Sequence, residues 1–357
     1  MTPLKFSFHW IDENGNAKGF LAKKGVLDAE MLTLEDTDIP VIVILEAEVR
    51  SNLLILSVMT GEEEPAHLGI QTSKANQLKT ELGRLRSAAW AKVHRESLEE
   101  KGLGHTFHHA TCPNCAAVVN LTDMETTPQI SCRFCDTLST ITPPPNDEGD
   151  VQPSCDHDYR LCDECGMYSK PRQFTIFYFY FLLVVYGFQS SKTWRCPGCM
   201  RGEAWKMLFG NMIFILGIPV ALVQLFRSYG GTDVGGPFPG LDRANLRARK
   251  GDLEGAVTAY REILNRRPTT AGVKYNIGLA LLAQERQGDA AKLFESSLAD
   301  CANYQPAAVM LAHCYEQLGE SDKLAALKSQ WEAADDDDDV NAVAEATAEN
   351  DQTAALE

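Results

Sequence analysis

Eight of the eleven cysteines in this 357-residue chain fall into four Cys-x-x-Cys pairs. They are Cys112 with Cys115, Cys132 with Cys135, Cys162 with Cys165, and Cys196 with Cys199. Each such turn can aim two sulfurs at one ion, and two turns complete a tetrahedron. Taken in chain order, the pairs make two four-sulfur sites, one across Cys112–Cys135 and one across Cys162–Cys199. Four thiolates close the coordination shell, whereas a catalytic zinc keeps a position open. The expectation is therefore two structural Zn2+ ions. A four-sulfur tetrahedron also suits iron, so a redox centre is the competing chemistry. His105, His108 and His109 lie just upstream of the first site but are expected outside a shell already filled by cysteine. Cys155 and His157 form a Cys-x-His beside the second site and are likewise not expected to be ligands. Cys301 and Cys314 read as small buried residues.

Such regular pairing, without an apolar signal region in "MTPLKFSFHWIDENG", reads as metal ligation in a reducing compartment rather than disulfides. The first site has the form C-x2-C-x16-C-x2-C and resembles a zinc ribbon, with "AAVVNLT" and "QISC" as its short strands. The second has 30 residues between its pairs, and these include the apolar run Phe174–Phe188. As a helix this run would be about 22 Å long, short of the ~30 Å hydrocarbon core. Its first half, "FTIFYFYF", is rich in strand-favouring aromatics. A long two-stranded finger turning near Gly187–Ser191 would bring both cysteine pairs together. A membrane span would instead separate them. The finger is the preferred reading. The better membrane candidate is Met207–Phe226, twenty residues that one helix could just carry across. An interfacial helix and a buried helix are the alternatives.

The remaining elements must position these sites. The first hundred residues alternate as strands at "KFSFHW", "GFLAKK" and "AEMLTL", then at "IPVIVILEAEV" and "NLLILSVM". From Ser73 to Lys101 the apolar period becomes helical, through Ala75, Leu78, Leu82, Leu85, Ala89 and Val93. A small sheet closed by one helix is similar to the pleckstrin-homology-like fold in element order alone, which does not license lipid binding. "TPPPNDEGDVQPS" is a Pro- and acid-rich linker. Past "GGTDVGGPFPG" a 34-residue period sets in. Ala256 recurs as Ala290, Tyr260 as Phe294, Gly278 as Ala312, and Leu281 as Tyr315. Over Leu241–Trp331 the chain resembles the tetratricopeptide repeat (TPR) family in three units. Arg243, Arg247 and Leu324 depart from its pattern and suggest terminal caps. That resemblance implies a concave face that binds a peptide or partner helix, lined here by Asn276, Leu279, Ala280 and Ala283.

The fold class expected is thus multidomain α+β. Residues 1–104 form the β-rich domain with its C-terminal helix, 105–141 the first ribbon and 142–159 the linker. Residues 160–236 carry the second ribbon and its hydrophobic, membrane-associated module, with apolar segments at 174–188 and 207–226. Residues 237–331 are the all-α repeats and 332–357 an acidic disordered tail.

The formal net charge is −16, but ten acidic residues and no Lys or Arg follow Trp331. The rest is mildly acidic, so neither part offers the basic surface that nucleic acid requires. "RCPGCMRGEAWK" is the local exception that keeps a nucleic-acid-associated zinc-ribbon protein as an alternative. No phosphate-binding glycine loop, H-E-x-x-H or nucleophile elbow occurs. The functional expectation is a non-enzymatic, membrane-associated scaffold with its metal-binding domains in the cytoplasm and a protein partner on the repeats. The alternatives are a soluble cytoplasmic protein, the nucleic-acid-associated ribbon, and a rubredoxin-like iron protein.

Overall fold

The structure is a computed structural model. It describes residues 2–12, 17–50, 52–60, 65–141, 158–182, 185–211, 218–230 and 236–335, with backbone alone at 177–192 and 332–335. Cys155, His157, most of the expected linker and the tail beyond 335 lie outside the described residues. The chain divides into two compact units, one built on Met1–Glu125 and Cys132–Cys135, the other on Thr126–Ser131 and Asp136–Lys328.

In the first unit, seven antiparallel strands precede a long helix. The strands are β1 (Leu4–Trp10), β2 (Lys23–Leu27), β3 (Met31–Leu34), β4 (Thr37–Pro40), β5 (Ile44–Arg50), β6 (Leu53–Val58) and β7 (Ala66–Gln71). Their order is β4-β3-β2-β1-β7-β6-β5. Alternation decides which side chains face inward: Phe6 and Phe8 of β1 and Leu54, Leu56 and Val58 of β6 are buried. Helix α1 (Ala75–Glu100) buries Ala75, Leu78, Leu82 and Leu85 against this sheet.

Two differences from the sequence reading have local causes. The single strand expected over Ile39–Val49 breaks, because β4 ends at Pro40 and Val41–Val43 form a 3-10 turn. Proline has no N–H to extend a ladder. The strand expected at "GFLAKK" begins only at Lys23, and Phe20 and Leu21 stand fully exposed. Strands β4 and β7 were not legible, being short and polar or interrupted by glycine.

Helix α1 also holds the first cysteine region. Ser87 Oγ accepts the Val118 N–H at 2.9 Å, fixing β9 (Val118–Asn120), which pairs with β8 (His109–Thr111). Arg86 donates to the Leu45 carbonyl at 2.6 Å, and its guanidinium lies over the Trp90 and Phe134 rings. Burial, with Arg133 nearby, lowers its pKa to about 10.

Three hairpins follow along the chain. Strand β10 (Gln129–Cys132) lies beside β11 (Thr137–Thr140), and β12 (Arg160–Leu161) pairs with β13 (Tyr168–Ser169). Strand β14 (Arg172–Leu182) pairs along its whole length with β15 (Val185–Arg195). The run Phe174–Phe188 therefore lies in a two-stranded finger, but the chain reverses between Leu182 and Val185 and not near Gly187–Ser191 as expected, since Gly187 pairs with Tyr180 within the ladder.

Met207–Phe226 is not one helix. Helix α2 (Pro197–Gly210) closes at Asn211, whose backbone N–H and side-chain Nδ2 both donate to the Met207 carbonyl, at 2.9 and 2.8 Å. Helix α3 (Ile218–Tyr229) follows. Among the described residues no helix is long and apolar enough to cross a membrane, so the expected transmembrane helix is not found there, and residues 212–217 of the expected span lie outside the described residues. Helix α2 stops at Gly210-Asn211, where a side-chain amide competes for the last carbonyls.

Six helices follow: α4 (Leu241–Arg249), α5 (Leu253–Arg266), α6 (Ala271–Leu282), α7 (Gln287–Asp300), α8 (Gln305–Leu318) and α9 (Ser321–Asp335). Helix α4 packs on α5, α6 on α7, and α7 on α8. The 34-residue period buries Ala256 and Ala290 alike, and Tyr260 and Phe294 alike. Gly278 must be small, because a Cβ there would lie 2.5 Å from the Phe294 ring.

Candidate metal centres

Both cysteine tetrads assemble from the pairs as expected. Cys112, Cys115, Cys132 and Cys135 place their sulfurs within 4.8 Å of one another, and so do Cys162, Cys165, Cys196 and Cys199. Sulfur–sulfur separations are 3.7 Å for Cys112–Cys135, 3.6 Å for Cys115–Cys132 and 3.9 Å for Cys165–Cys196. A disulfide needs about 2.05 Å, so these are not disulfides. A tetrahedral ion with metal–sulfur bonds of about 2.3 Å sets the sulfurs about 3.8 Å apart. The donor set and its spacing fit such an ion.

Backbone geometry explains why the turns hold. The residue after the second cysteine of three pairs adopts a left-handed conformation: Ala116 (φ 57°), Asp136 (φ 58°) and Gly166 (φ 66°). That kink lets the Ala116 and Gly166 N–H groups reach back to the carbonyls of Cys112 and Cys162, both at 2.9 Å. Ala116 and Asp136 bear a Cβ there, a strained choice that the local turn must offset. The fourth pair uses a helix instead. Cys196 caps α2, Pro197 occupies its first turn, and the Cys199 N–H donates to Cys196 Sγ at 3.5 Å. A helix N-terminus favours a thiolate through its exposed N–H groups.

Electrostatics point the same way. Cys112 is pulled below the ordinary thiol range by its neighbours, Cys115 first, because their sulfurs hydrogen-bond to its thiolate. Cys162 is lowered likewise, Cys165 first. Cys132 and Cys199 are pushed up for the converse reason. Four sulfurs this close cannot all ionise alone, and a bound cation removes that conflict by deprotonating its thiol ligands. The second tetrad has a further charge. Arg249 of α4 brings Nη1 to 3.9 Å from Cys196 Sγ. Burial disfavours its charge, but the four cysteines outweigh burial and raise its pKa.

Of the proposed groove residues, Asn276 and Ala280 are buried, Leu279 is half-buried against the repeat core, and Ala283 is exposed. Asn276 does not face an open groove. Its Oδ1 accepts the Tyr168 N–H and its Nδ2 donates to the Tyr168 carbonyl, both at 2.7 Å. Asn245 Nδ2 donates to the same carbonyl at 2.9 Å. Its Oδ1 accepts from Asn276 Nδ2 at 2.9 Å and from the Tyr260 hydroxyl at 2.7 Å. Strand β13 thus packs against this side of α4 and α6.

A second asparagine repeats the device. Asn303 Oδ1 accepts the Ser131 N–H and its Nδ2 donates to the Ser131 carbonyl, both at 2.8 Å. Gln129 Oε1 and Thr127 Oγ1 accept the N–H groups of Ala271 and Ala302 beside it, at 2.9 and 3.1 Å. A primary amide offers one acceptor and two donors, so it can pair with both backbone groups of an extended residue. Asn245 and Arg249 of α4 and Asn303 of the α7–α8 turn carried no sequence signal, because polar residues on amphipathic helices and in turns are ordinarily solvent-facing.

No family model matches the chain, and no curated protein matches it. Among solved structures it is similar to MamA MSR-1 C2, at 19% identity over 34% of this chain and 75% of that one, with a TM-score of 0.26. It is also similar to MamA AMB-1 P212121, at 16% identity over 38% and 73%, with a TM-score of 0.24. At those scores the likenesses carry no argument.

Proposed function

We propose that this chain is a non-enzymatic, membrane-associated scaffold. It combines metal-filled ribbons of the zinc-ribbon type with a TPR-like array that recruits a protein partner, and the ribbon at Cys162–Cys199 braces that array. The observation that carries this reading is the paired asparagine docking, Asn276 onto Tyr168 and Asn303 onto Ser131. It ties Ser131 and the hairpin of the second tetrad into the repeats within the second unit.

Two closed four-sulfur sites leave no coordination position for a substrate. When bound, an ion in each would supply cross-linking rather than chemistry. Because Asn276 is engaged by Tyr168, the partner is expected on surfaces the ribbon leaves open, beginning at exposed Ala283 and at Val309 and Leu318 of α8. Strand order β4-β3-β2-β1-β7-β6-β5 followed by α1 supports a pleckstrin-homology-like reading of the first unit. The ribbons are placed on the cytoplasmic side, where thiols stay reduced.

Metal analysis and thermal unfolding of the purified full chain, before and after chelation, test this reading. The expected results are a colourless protein with two zinc ions and a helical melting transition that falls on chelation. An unchanged helical transition after complete metal removal would refute the bracing role. An iron chromophore would refute the zinc assignment.

A further inference from the structure

Helix α3 is built inside out. The side chains it fully buries are Ala221, Gln224 and Ser228, with Val220 and Leu225 half-buried against the cluster of Phe174, Met200 and Met207. Those it leaves exposed include Leu222, Val223, Phe226 and Tyr229, with Phe226 at 78% and Tyr229 at 59% of full exposure. The adjoining α2 does the same on its outer side, where Trp205 and Phe209 stack on each other with ring centroids 5.9 Å apart. The two helices pack together, and Arg201 near the start of α2 lies over the Tyr229 ring at the end of α3, so the pair is antiparallel. A water-facing helix normally buries its large apolar residues and exposes its polar ones. Reversal of that order means that the outer face meets something other than water.

Charge identifies what it meets. From Arg172 to Tyr229 the sequence holds six basic residues and one acidic residue, in a chain of net charge −16. Helix α3 has no acidic residue. The one acidic side chain, Glu203, lies 3.3 Å from Arg195 and 3.6 Å from Lys206. Lys206 and Arg227 are exposed beside the apolar side chains. A second copy would set this basic face against itself. An anionic lipid surface would complement it, with aromatic rings at headgroup depth. Helices of 14 and 12 residues are about 21 and 18 Å long, too short to cross a ~30 Å core but suited to lying in its interface.

We infer that the α2–α3 pair is a monotopic membrane-docking face that inserts Trp205, Phe209, Val223 and Phe226 into the headgroup–acyl boundary of anionic lipid. This inference rests on the membrane-associated part of the proposed function and names its site and lipid class. Flotation of the full chain with vesicles tests it. One set is phosphatidylcholine alone and the other contains phosphatidylglycerol as well.

The chain should float with the anionic vesicles, release at high salt, and bind pure phosphatidylcholine at least about tenfold more weakly. The double variant Val223→Glu/Phe226→Glu should lose about tenfold or more of that binding. Its helical circular dichroism and melting should not change, since both side chains are exposed. Equal flotation of wild type and variant would overturn the docking face while leaving membrane association intact. No flotation with either vesicle would overturn both. Concentration-dependent dimerisation abolished by the variant, without flotation, would assign the face to a second copy and overturn the lipid inference.

Discussion

Replacing Asn276 with alanine separates a docking residue from a partner-binding one. Asn276 is fully buried, and Tyr168 is 2% exposed. The substitution removes the acceptor for the Tyr168 N–H and the donors to Tyr168 O and Asn245 Oδ1. Two of those three groups keep a partner. Tyr168 O retains Asn245 Nδ2, and Asn245 Oδ1 retains the Tyr260 hydroxyl. The Tyr168 N–H loses its amide acceptor inside the protein, a penalty of about 1–3 kcal/mol, with roughly 1 kcal/mol more for the donor bonds. The expected loss is therefore about 2–4 kcal/mol. The isosteric Asn276→Asp should cost at least as much. It keeps an acceptor for Tyr168 N–H but turns a carboxylate oxygen toward two oxygens that need a donor, or else buries a charge. Urea unfolding followed by helical circular dichroism measures both variants. A loss below about 0.5 kcal/mol for the alanine variant, the range of ordinary surface substitutions, would refute the docking account. The consequence for interpretation is direct: weakened partner recovery in Asn276→Ala would reflect the displaced ribbon rather than a lost groove contact.

Two other predictions concern the metal sites and the repeat core. Cys162→Ser should reduce the metal content from two ions to one, and Cys132→Ser should do the same from the other tetrad; independent loss in each would be read by elemental analysis. In the repeats, burial raises Tyr275 to about 12 and pushes Tyr260 and Tyr304 further up. Between the unfolded value near 10 and these folded values the native state binds more protons, so stability falls as pH rises through that window. Alkaline unfolding should therefore begin above about pH 10 and coincide with tyrosinate absorbance; ionisation well before loss of helical signal would contradict it.

The two cysteine tetrads were almost wholly legible in the sequence. A Cys-x-x-Cys turn is a local object, and spacing alone paired four turns into two tetrads. The 34-residue period likewise foretold equivalent buried positions at Tyr260 and Phe294, because a repeat writes its packing into the sequence at fixed intervals. The long aromatic finger followed from length and strand propensity.

Three things were decided by tertiary structure. Helix α2 ends inside the apolar stretch Met207–Phe226, where Asn211 folds its side chain onto the Met207 carbonyl, which hydropathy does not register. The inside-out face of α3 needed the knowledge of which side meets the protein, since Ala221 and Leu222 are equally apolar in sequence. The engagement of Asn276 by Tyr168, 108 residues away, was invisible for a related reason. An amide reads backbone, and every residue has the same backbone, so no side-chain pattern at the docked strand announces the contact. Local chemistry fixed the ligands and the repeat. The long-range pairing of polar groups that carry no sequence code decided what those repeats hold.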